Sequence, residues 1–162
     1  MQDNHRPHGS KQYDNFSTDV ERFLSIIHPD GVFEIRSPKC PDRVGGKYPS
    51  TASGYFNDPA AAAREVERLQ AFKPPAVYVT VNPVVAGLLA RAANRIDRSK
   101  PTTSKGDILR RRWLFLDLDS RRPSGVSATD AELAEADKVS GAIMEGLARD
   151  GWPEPLQGMS GN

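Results

Sequence analysis

The chain has 162 residues, of which 38% are hydrophobic and 27% are charged, and its formal net charge is +1. This length and composition suit one globular domain with a hydrophobic core and exclude wholesale disorder. The single cysteine, Cys40, excludes an internal disulfide and a cysteine-based zinc site, and no apolar run is long enough to span a membrane. We therefore expect a cytoplasmic protein without a membrane partner.

The first half of the chain predicts two helices and one strand. Residues 1–16 are polar and are expected to form a flexible leader, with a single domain over 17–162. A capping-box pattern at Thr18 and Glu21 predicts a first helix, and 32–37 alternates as a strand. We expect a loop over 38–54 and then a helix that is capped by Asp58, has Pro59 at its first position and ends near Phe72. The apolar face of the first helix is predicted to contain Val20, Phe23, Leu24 and Ile27, whereas Phe33 and Ile35 lie opposite Glu34 and Arg36 on the strand.

The second half continues the alternation of strands and helices. Residues 76–81 predict a second strand, 85–96 a helix, and 113–119 a third, buried strand. Thr129 and Glu132 form a capping box that predicts a last helix, which Gly151 and Pro153 end. The sequence therefore predicts an α/β (α+β) fold, with helices packed on a mixed sheet.

The third predicted strand carries two acids, Asp117 and Asp119, at its end. Side chains alternate along a strand, so both carboxylates are expected on the face shared by Trp113 and Phe115. Their Cα atoms would lie roughly 6–7 Å apart, which suits a divalent cation that prefers carboxylate oxygens. The alternative is a strand that ends in solvated acids.

Charge is distributed unevenly along the second half of the chain. Eight basic residues lie between Arg91 and Arg112 against two acids, whereas 129–162 contains seven acids against two basic residues. A basic segment that leads into an acidic metal site suits a polyanionic ligand held beside a cation. A solvated loop followed by an acidic helix face is the simpler alternative.

Five segments of the chain form an ordered set of motifs: GYFND at 54–58, VYVTVNP at 77–83, DILRRRWLFLDLD at 107–119, RPSGVSATD at 122–130 and GWPEP at 151–155. In this order they resemble the archaeo-eukaryotic primase superfamily, and most closely the primase-polymerase proteins of phages, plasmids and other mobile elements. The similarity extends from about Val32 to the last residue.

The resemblance implies a primase-polymerase-like core and template-directed nucleotidyl transfer with two divalent ions, Mg²⁺ or Mn²⁺. Asp117 and Asp119 match the family's metal-binding and catalytic acids. The implied partners are a single-stranded DNA template and nucleoside triphosphates, with a helicase as a further candidate. Arg110 and Arg111 are the candidates for binding the triphosphate, because Arg111 shares the parity of the acids whereas Arg112 faces the other way. For each arginine, a solvated strand entrance is the alternative.

The family pattern continues with a small-residue turn, a Gly-x-His motif and a strand that bears a third acid. Ser160, Gly161 and Asn162 match the start of that turn, which would contact the nucleotide phosphates, and the sequence ends there. We therefore expect an incomplete catalytic domain, truncated at its C-terminus. Two alternatives stay open: a non-catalytic nucleotide- or DNA-binding remnant, and an Asp-x-Asp metal-dependent sugar-nucleotide transferase.

Overall fold

The computed structural model describes residues 16–42, 46–98, 101–120, 122–123 and 125–158. The chain divides into two compact units, Met1–Leu114 and Phe115–Asn162. Helices and a β-sheet both contribute, which confirms the α/β class predicted from the sequence. The single domain over 17–162 stays a prediction, and the predicted leader lies, apart from Phe16, outside the described residues.

The first unit is built on a three-stranded antiparallel sheet with the strand order β2-β1-β3. Two α-helices supply residues to the hydrophobic core on one face of this sheet. Two short 3-10 helices, Ala86–Arg91 and Lys105–Asp107, follow the last strand. The main elements are α1 (Phe16–Ile27), β1 (Phe33–Cys40), β2 (Ser50–Phe56), α2 (Pro59–Gln70) and β3 (Tyr78–Val79).

Alternation along β1 separates the two faces of the sheet, as the sequence predicted. Phe33 and Ile35 pack in the core with residues of both helices, and each is at most 2% exposed. Burial of such a side chain contributes about 1.5–3 kcal/mol, so this face holds the helices on the sheet. Glu34 and Arg36 lie on the other face, where they bond to each other.

Helix α2 begins where the sequence predicted. The Asp58 carboxylate accepts hydrogen bonds from the backbone N–H groups of Ala60 and Ala61, at 2.9 and 3.2 Å. Pro59 occupies the first turn, where its missing N–H has no cost. Small side chains make up most of the buried face of α2, which packs against α1. The buried residues of α2 are Ala61, Ala62, Ala63, Val66 and Leu69.

The capping box predicted for α1 is wrong. The helix already includes Phe16, so Thr18 lies inside it and is not the residue that precedes its first turn. Its buried face is also narrower than predicted, because Leu24 and Ile27 are buried whereas Phe23 is 52% exposed. Contact with the core, rather than apolar periodicity alone, therefore determines which residues are buried.

The loop predicted over 38–54 is also wrong, because β1 continues to Cys40 and β2 begins at Ser50. The small residues of β2 do not have the sequence pattern of a strand, although β2 forms backbone hydrogen bonds on both of its edges. One neighbour is β1, and the other is the chain at 92–97, where the Ser53 backbone N–H donates to Asp97 at 2.8 Å. A Cβ atom at Gly54 would collide with the backbone carbonyl of Arg95, so this close approach requires glycine.

Residues 76–97 also differ from the sequence prediction. The second predicted strand is only two residues long in the structure, and the predicted helix over 85–96 is the 3-10 helix Ala86–Arg91 followed by irregular chain with a turn at Asn94. Backbone pairing elsewhere explains both differences. Val84 pairs with Val32 and with Ile108, whereas Ala92 accepts a hydrogen bond from the Tyr55 backbone at 3.0 Å. Non-local partners therefore override the apolar periodicity of this segment.

The second unit contains one long helix, α3 (Asp130–Arg149). Its predicted capping box is present, since Thr129 and Glu132 exchange side-chain and backbone hydrogen bonds. Gly151 follows the helix with a φ of 78°, and the Trp152 N–H donates to Leu147 at 3.0 Å. This arrangement is a glycine-dependent helix end, as the sequence predicted.

Candidate functional site

Asp117 and Asp119 lie on exposed chain without regular secondary structure. The prediction of a buried strand over 113–119 is therefore wrong. Among the described residues, no strand pairs with this segment of alternating apolar residues, and Phe115 is 72% exposed. Apolar alternation indicates a strand only where a second strand can satisfy its backbone hydrogen bonds. Because the strand is absent, the prediction that Asp117 and Asp119 share one strand face is wrong too.

Asp119 already has a cationic neighbour in the second unit. Arg122 donates through Nη2 to Asp119 Oδ1 at 3.3 Å and through Nη1 to the Val126 carbonyl at 3.0 Å. The Asp119 side chain is 79% exposed, so this ion pair contributes little to stability. A cation that binds Asp119 would therefore compete with Arg122 at low energetic cost.

A polar cavity of about 490 Å³ lies beside Asp119 within the second unit. Described residues between Asp119 and the start of α3 form it, and Glu132 of α3 lies near Arg122. Hydrogen bonds from the Thr129 backbone and hydroxyl, together with the charge of Arg122, lower the pKa of Glu132. Glu132 is therefore a charged helix cap, and it is not a candidate proton donor. The cavity is lined by Asp119, Ser120, Arg122, Pro123, Gly125, Val126 and Ser127.

The two aspartates alone are fewer than the three side chains that a protein metal site commonly supplies. Within the described ranges, no three His, Cys, Asp or Glu side chains lie close enough together to hold a metal ion. Mg²⁺ is commonly held by one or two carboxylates, with water and substrate phosphates as its other ligands. Two exposed carboxylates that are two residues apart fit such an ion as a partial ligand set.

The three arginines before the acids have different environments in the first unit. Arg112 is 16% exposed and forms an ion pair with Asp30, and Arg110 approaches the same carboxylate at 3.5 Å. The hydrogen bond and charge of Arg112 lower the pKa of Asp30. Arg111 is exposed, and it forms no hydrogen bond or ion pair with any described residue. Of the two predicted phosphate ligands, Arg111 is therefore available and Arg110 is partly engaged.

Asn82 and Trp113 attach this arginine segment to the first unit. The Asn82 side-chain oxygen accepts hydrogen bonds from the backbone N–H groups of Arg112 and Trp113, at 2.6 and 3.0 Å. Trp113 packs against the core and donates through Nε1 to the Ile27 carbonyl at 2.8 Å. These hydrogen bonds attach the chain to the first unit as far as Trp113. The other predicted phosphate contacts, Ser160, Gly161 and Asn162, lie outside the described residues.

A buried carboxylate, Glu34, is the feature that the sequence interpretation missed. Its side chain is fully buried and accepts bonds from Arg36 Nε at 3.0 Å, Arg36 Nη2 at 2.6 Å and the Thr103 N–H at 3.2 Å, as well as from the Ser53 hydroxyl. Burial raises the pKa of Glu34, but these hydrogen bonds and the charge of Arg36 outweigh it and hold the pKa below its usual value. The Glu-x-Arg spacing on one strand face could have indicated the ion pair. It could not have indicated that Glu34 is buried, because Thr103, which covers the carboxylate, is distant in the sequence.

The sequence interpretation also missed a buried histidine, His28, which it placed only at the end of the first helix. Its ring stacks on Phe33 with centroids 4.4 Å apart, and its Nε2–H donates to the Thr80 carbonyl at 2.6 Å. Nδ1 is buried without a hydrogen-bond partner among the described residues. Burial, with a smaller contribution from the charge of Arg112, lowers the pKa of His28, although the bond to Thr80 opposes this change.

Comparisons with known proteins provide no relative for this chain. No protein-family model, curated protein or solved structure matches it. None of the helices in the described ranges is long and apolar enough to cross a lipid bilayer. A functional assignment therefore depends on the chemistry of the residues above and on the motif resemblance.

Proposed function

We propose that the chain is a primase-polymerase-type nucleotidyltransferase that acts in the cytoplasm during replication of a phage or other mobile element. The observation that carries the proposal is the ordered set of motifs around the Asp-x-Asp pair. Both carboxylates of that pair are exposed to solvent, and Arg111, which has no hydrogen bond or ion pair with a described residue, precedes them in the chain. Exposed acids and an available cation are the groups that a metal-bound triphosphate requires.

Each residue has a separate role in this proposal. Asp117 and Asp119 would hold Mg²⁺ or Mn²⁺, which would supply activation of a primer 3′-hydroxyl and neutralisation of the pyrophosphate charge. Arg111, with Arg110, would bind triphosphate oxygens. Arg112 is committed to Asp30, so it would position the segment without touching substrate. The substrates are then nucleoside triphosphates and a single-stranded DNA template, and a helicase is the proposed partner in the cell.

A second candidate function, metal-dependent nucleotide or DNA binding without catalysis, is favoured by the small number of ligands. No three-residue metal-ligand group is present among the described residues, and Asp119 already contacts Arg122. Removing one positioned electrostatic group from an acyl- or phosphoryl-transfer site costs roughly 10²–10³-fold in rate. Binding can persist where turnover is weak, so the two candidates differ in incorporation rather than in affinity.

The first experiment is a calorimetric titration of the full chain with Mn²⁺, alone and with a nucleoside triphosphate or a nucleoside-diphosphate sugar. We expect Asp117→Asn to weaken Mn²⁺ binding by at least about tenfold, or 1.4 kcal/mol. Asp137→Asn is the matched control, because Asp137 is an exposed acid on α3 with no ion pair among the described residues. Equal losses in both variants would contradict the metal site, and a preference for the diphosphate sugar would favour a sugar-nucleotide transferase.

The second experiment measures extension of a primer on a DNA template with Mn²⁺. Slow template-dependent incorporation that Asp119→Ala abolishes would support nucleotidyl transfer. Mn²⁺-dependent nucleotide binding without incorporation would support the non-catalytic candidate. Incorporation that Asp119→Ala leaves unchanged would contradict the proposed role of the acid pair.

A further inference from the structure

The first unit contains a second cavity, which none of the sequence motifs predicted. It encloses about 400 Å³ between the polar face of the sheet and the turn that carries the second 3-10 helix. Cavities of roughly 300–1,000 Å³ are the usual size of small-ligand sites. The residues that matter for recognition are Glu34, Arg36, Tyr78, Thr103, Lys105 and Ile108.

Strand pairing places a cation beside an aromatic ring in this cavity. Arg36 of β1 is the direct antiparallel partner of Tyr78 of β3, so the two side chains project from the same face. Tyr78 is 59% exposed, although it belongs to a strand. The ring therefore offers an open surface on which a planar group can stack.

Glu34 positions the Arg36 guanidinium. Its own carboxylate is buried and hydrogen-bonded, so it is not accessible to a ligand. Both Glu34 oxygens accept hydrogen bonds from described neighbours, and the side chain is fully buried. Arg36 uses Nε and Nη2 on Glu34 and donates from Nη2 to the Thr103 carbonyl at 3.0 Å. These bonds hold the guanidinium in one orientation and balance the buried negative charge.

Two donors at the cavity remain unused among the described residues. Arg36 Nη1 has no hydrogen-bond partner there, and the Lys105 ammonium has neither a hydrogen bond nor an ion pair. Asp107, on the same turn as Lys105, accepts instead from the Ser104 N–H and hydroxyl, each at 2.8 Å. With Glu34 neutralised by Arg36, the cavity has a net positive charge.

We propose that this cavity binds a nucleotide 5′-phosphate, with the phosphate on Arg36 Nη1 and Lys105 Nζ and the base stacked on Tyr78. Charge-assisted bonds to phosphate and base–aromatic stacking are the interactions that these groups provide. The ligand is either a free nucleoside monophosphate or the phosphorylated end of an oligonucleotide, because the chemistry is the same. The site lies within the first unit and uses neither Asp117 nor Asp119, so it is independent of the proposed catalysis.

The test is a calorimetric titration of the full chain with adenosine 5′-monophosphate in EDTA buffer. Lys105→Ala and Tyr78→Ala should each weaken binding by about tenfold, since each removes one interaction. Tyr78→Phe should bind as the wild type does, because it keeps the ring. Lys47→Ala and Tyr48→Ala are matched controls, since both residues are exposed in the same unit and lie outside the cavity, and they should change affinity less than about twofold.

Half-ligands and oligonucleotides complete the experiment. Adenosine and inorganic phosphate should each bind at least about tenfold more weakly than the monophosphate. A 5′-phosphorylated oligodeoxyadenylate that competes with the monophosphate would identify a nucleic-acid end as the source, and its failure to compete would identify the free nucleotide. The proposal is overturned by no detectable binding of the monophosphate, by equal binding of adenosine, or by equal losses in the Lys47→Ala and Lys105→Ala variants. EDTA makes these outcomes independent of the metal-site proposal.

Discussion

Carboxylates in the two units of this protein have opposite environments. Glu34 in the first unit is fully buried and accepts hydrogen bonds from three different residues. Asp117 and Asp119 in the second unit are exposed, and Asp119 forms a surface ion pair with Arg122. Removing the partner of a buried charge is costly, whereas an exposed charge can be changed freely. Glu34 therefore stabilises the fold, and the aspartates remain available for a ligand.

The largest expected effect is that of Arg36→Met, which leaves the Glu34 charge buried without its cation. We expect a loss of about 3 kcal/mol in the free energy of unfolding, the lower end of the range for a broken buried pair, because Arg36 is 31% exposed. Urea denaturation measures this loss. Lys138→Met is the control, because Lys138 and Glu135 form a pair with both side chains 71% exposed, and it should have almost no effect. A loss below about 1 kcal/mol for Arg36→Met would show that Glu34 is not enclosed as described.

Trp113 and Phe115 test whether the same contrast holds along one segment. The Trp113 ring packs on the core and donates to the Ile27 carbonyl, so Trp113→Ala should cost about 2 kcal/mol, less than for a fully buried tryptophan. Phe115→Ala should leave stability almost unchanged, because Phe115 is 72% exposed. Thermal unfolding of both variants gives the comparison. Similar large losses in the two variants would instead favour the buried strand that the sequence predicted.

Acid should destabilise the first unit in two steps. The pKa of His28 is lowered from 6.5 in the folded state, so the unfolded chain binds the proton first, and stability falls as pH decreases below about 6.5. The pKa of Glu34 is lowered from 4.5, so its contribution is complete above that pH and is lost as pH falls through the folded pKa.

The free energy of unfolding in urea, measured at several pH values between 7 and 3, tests this order. His28→Gln should remove the first step and keep the second, because glutamine does not titrate and can still donate to the Thr80 carbonyl. A first step that persists in His28→Gln would assign it to another group.

The smallest expected effect is that of Asp117→Asn on stability without metal. Asp117 is exposed, and removing one of two nearby negative charges relieves repulsion, so the melting temperature should stay the same or rise slightly. Differential scanning calorimetry in EDTA measures this change. A marked fall in melting temperature would mean that Asp117 has a structural partner, and the exposed acids would then resemble Glu34.

Local hydrogen bonding explains which elements the sequence predicted well. Asp58 and Thr129 bond to backbone groups within three residues, so the starts of α2 and α3 were visible in the sequence. Gly151 ends α3 with a positive φ, which is also a local requirement. The alternation of β1 was also predicted correctly, because successive side chains of a strand point to opposite faces, which is a local property of the chain.

The candidate site was predicted less completely. The sequence identified the acid pair and the adjacent arginines, and the structure distinguishes the available Arg111 from Arg112, which is committed to Asp30. It also replaces the predicted strand at the acids with exposed chain, because no strand in the part of the chain that the structure describes pairs with 113–119. Metal binding at the pair stays a prediction.

The sequence by itself determined the α/β composition, the caps of α2 and α3 and the alternation of β1, because each depends on residues close together in the chain. Tertiary structure alone decided that Ser50–Phe56 is a strand, since its small residues become favourable only between β1 and the chain at 92–97. It also decided that Glu34 is buried, because Thr103, which closes the carboxylate, lies 69 residues further along the chain. Partners at that separation are specified by the folded backbone, and no local pattern contains them.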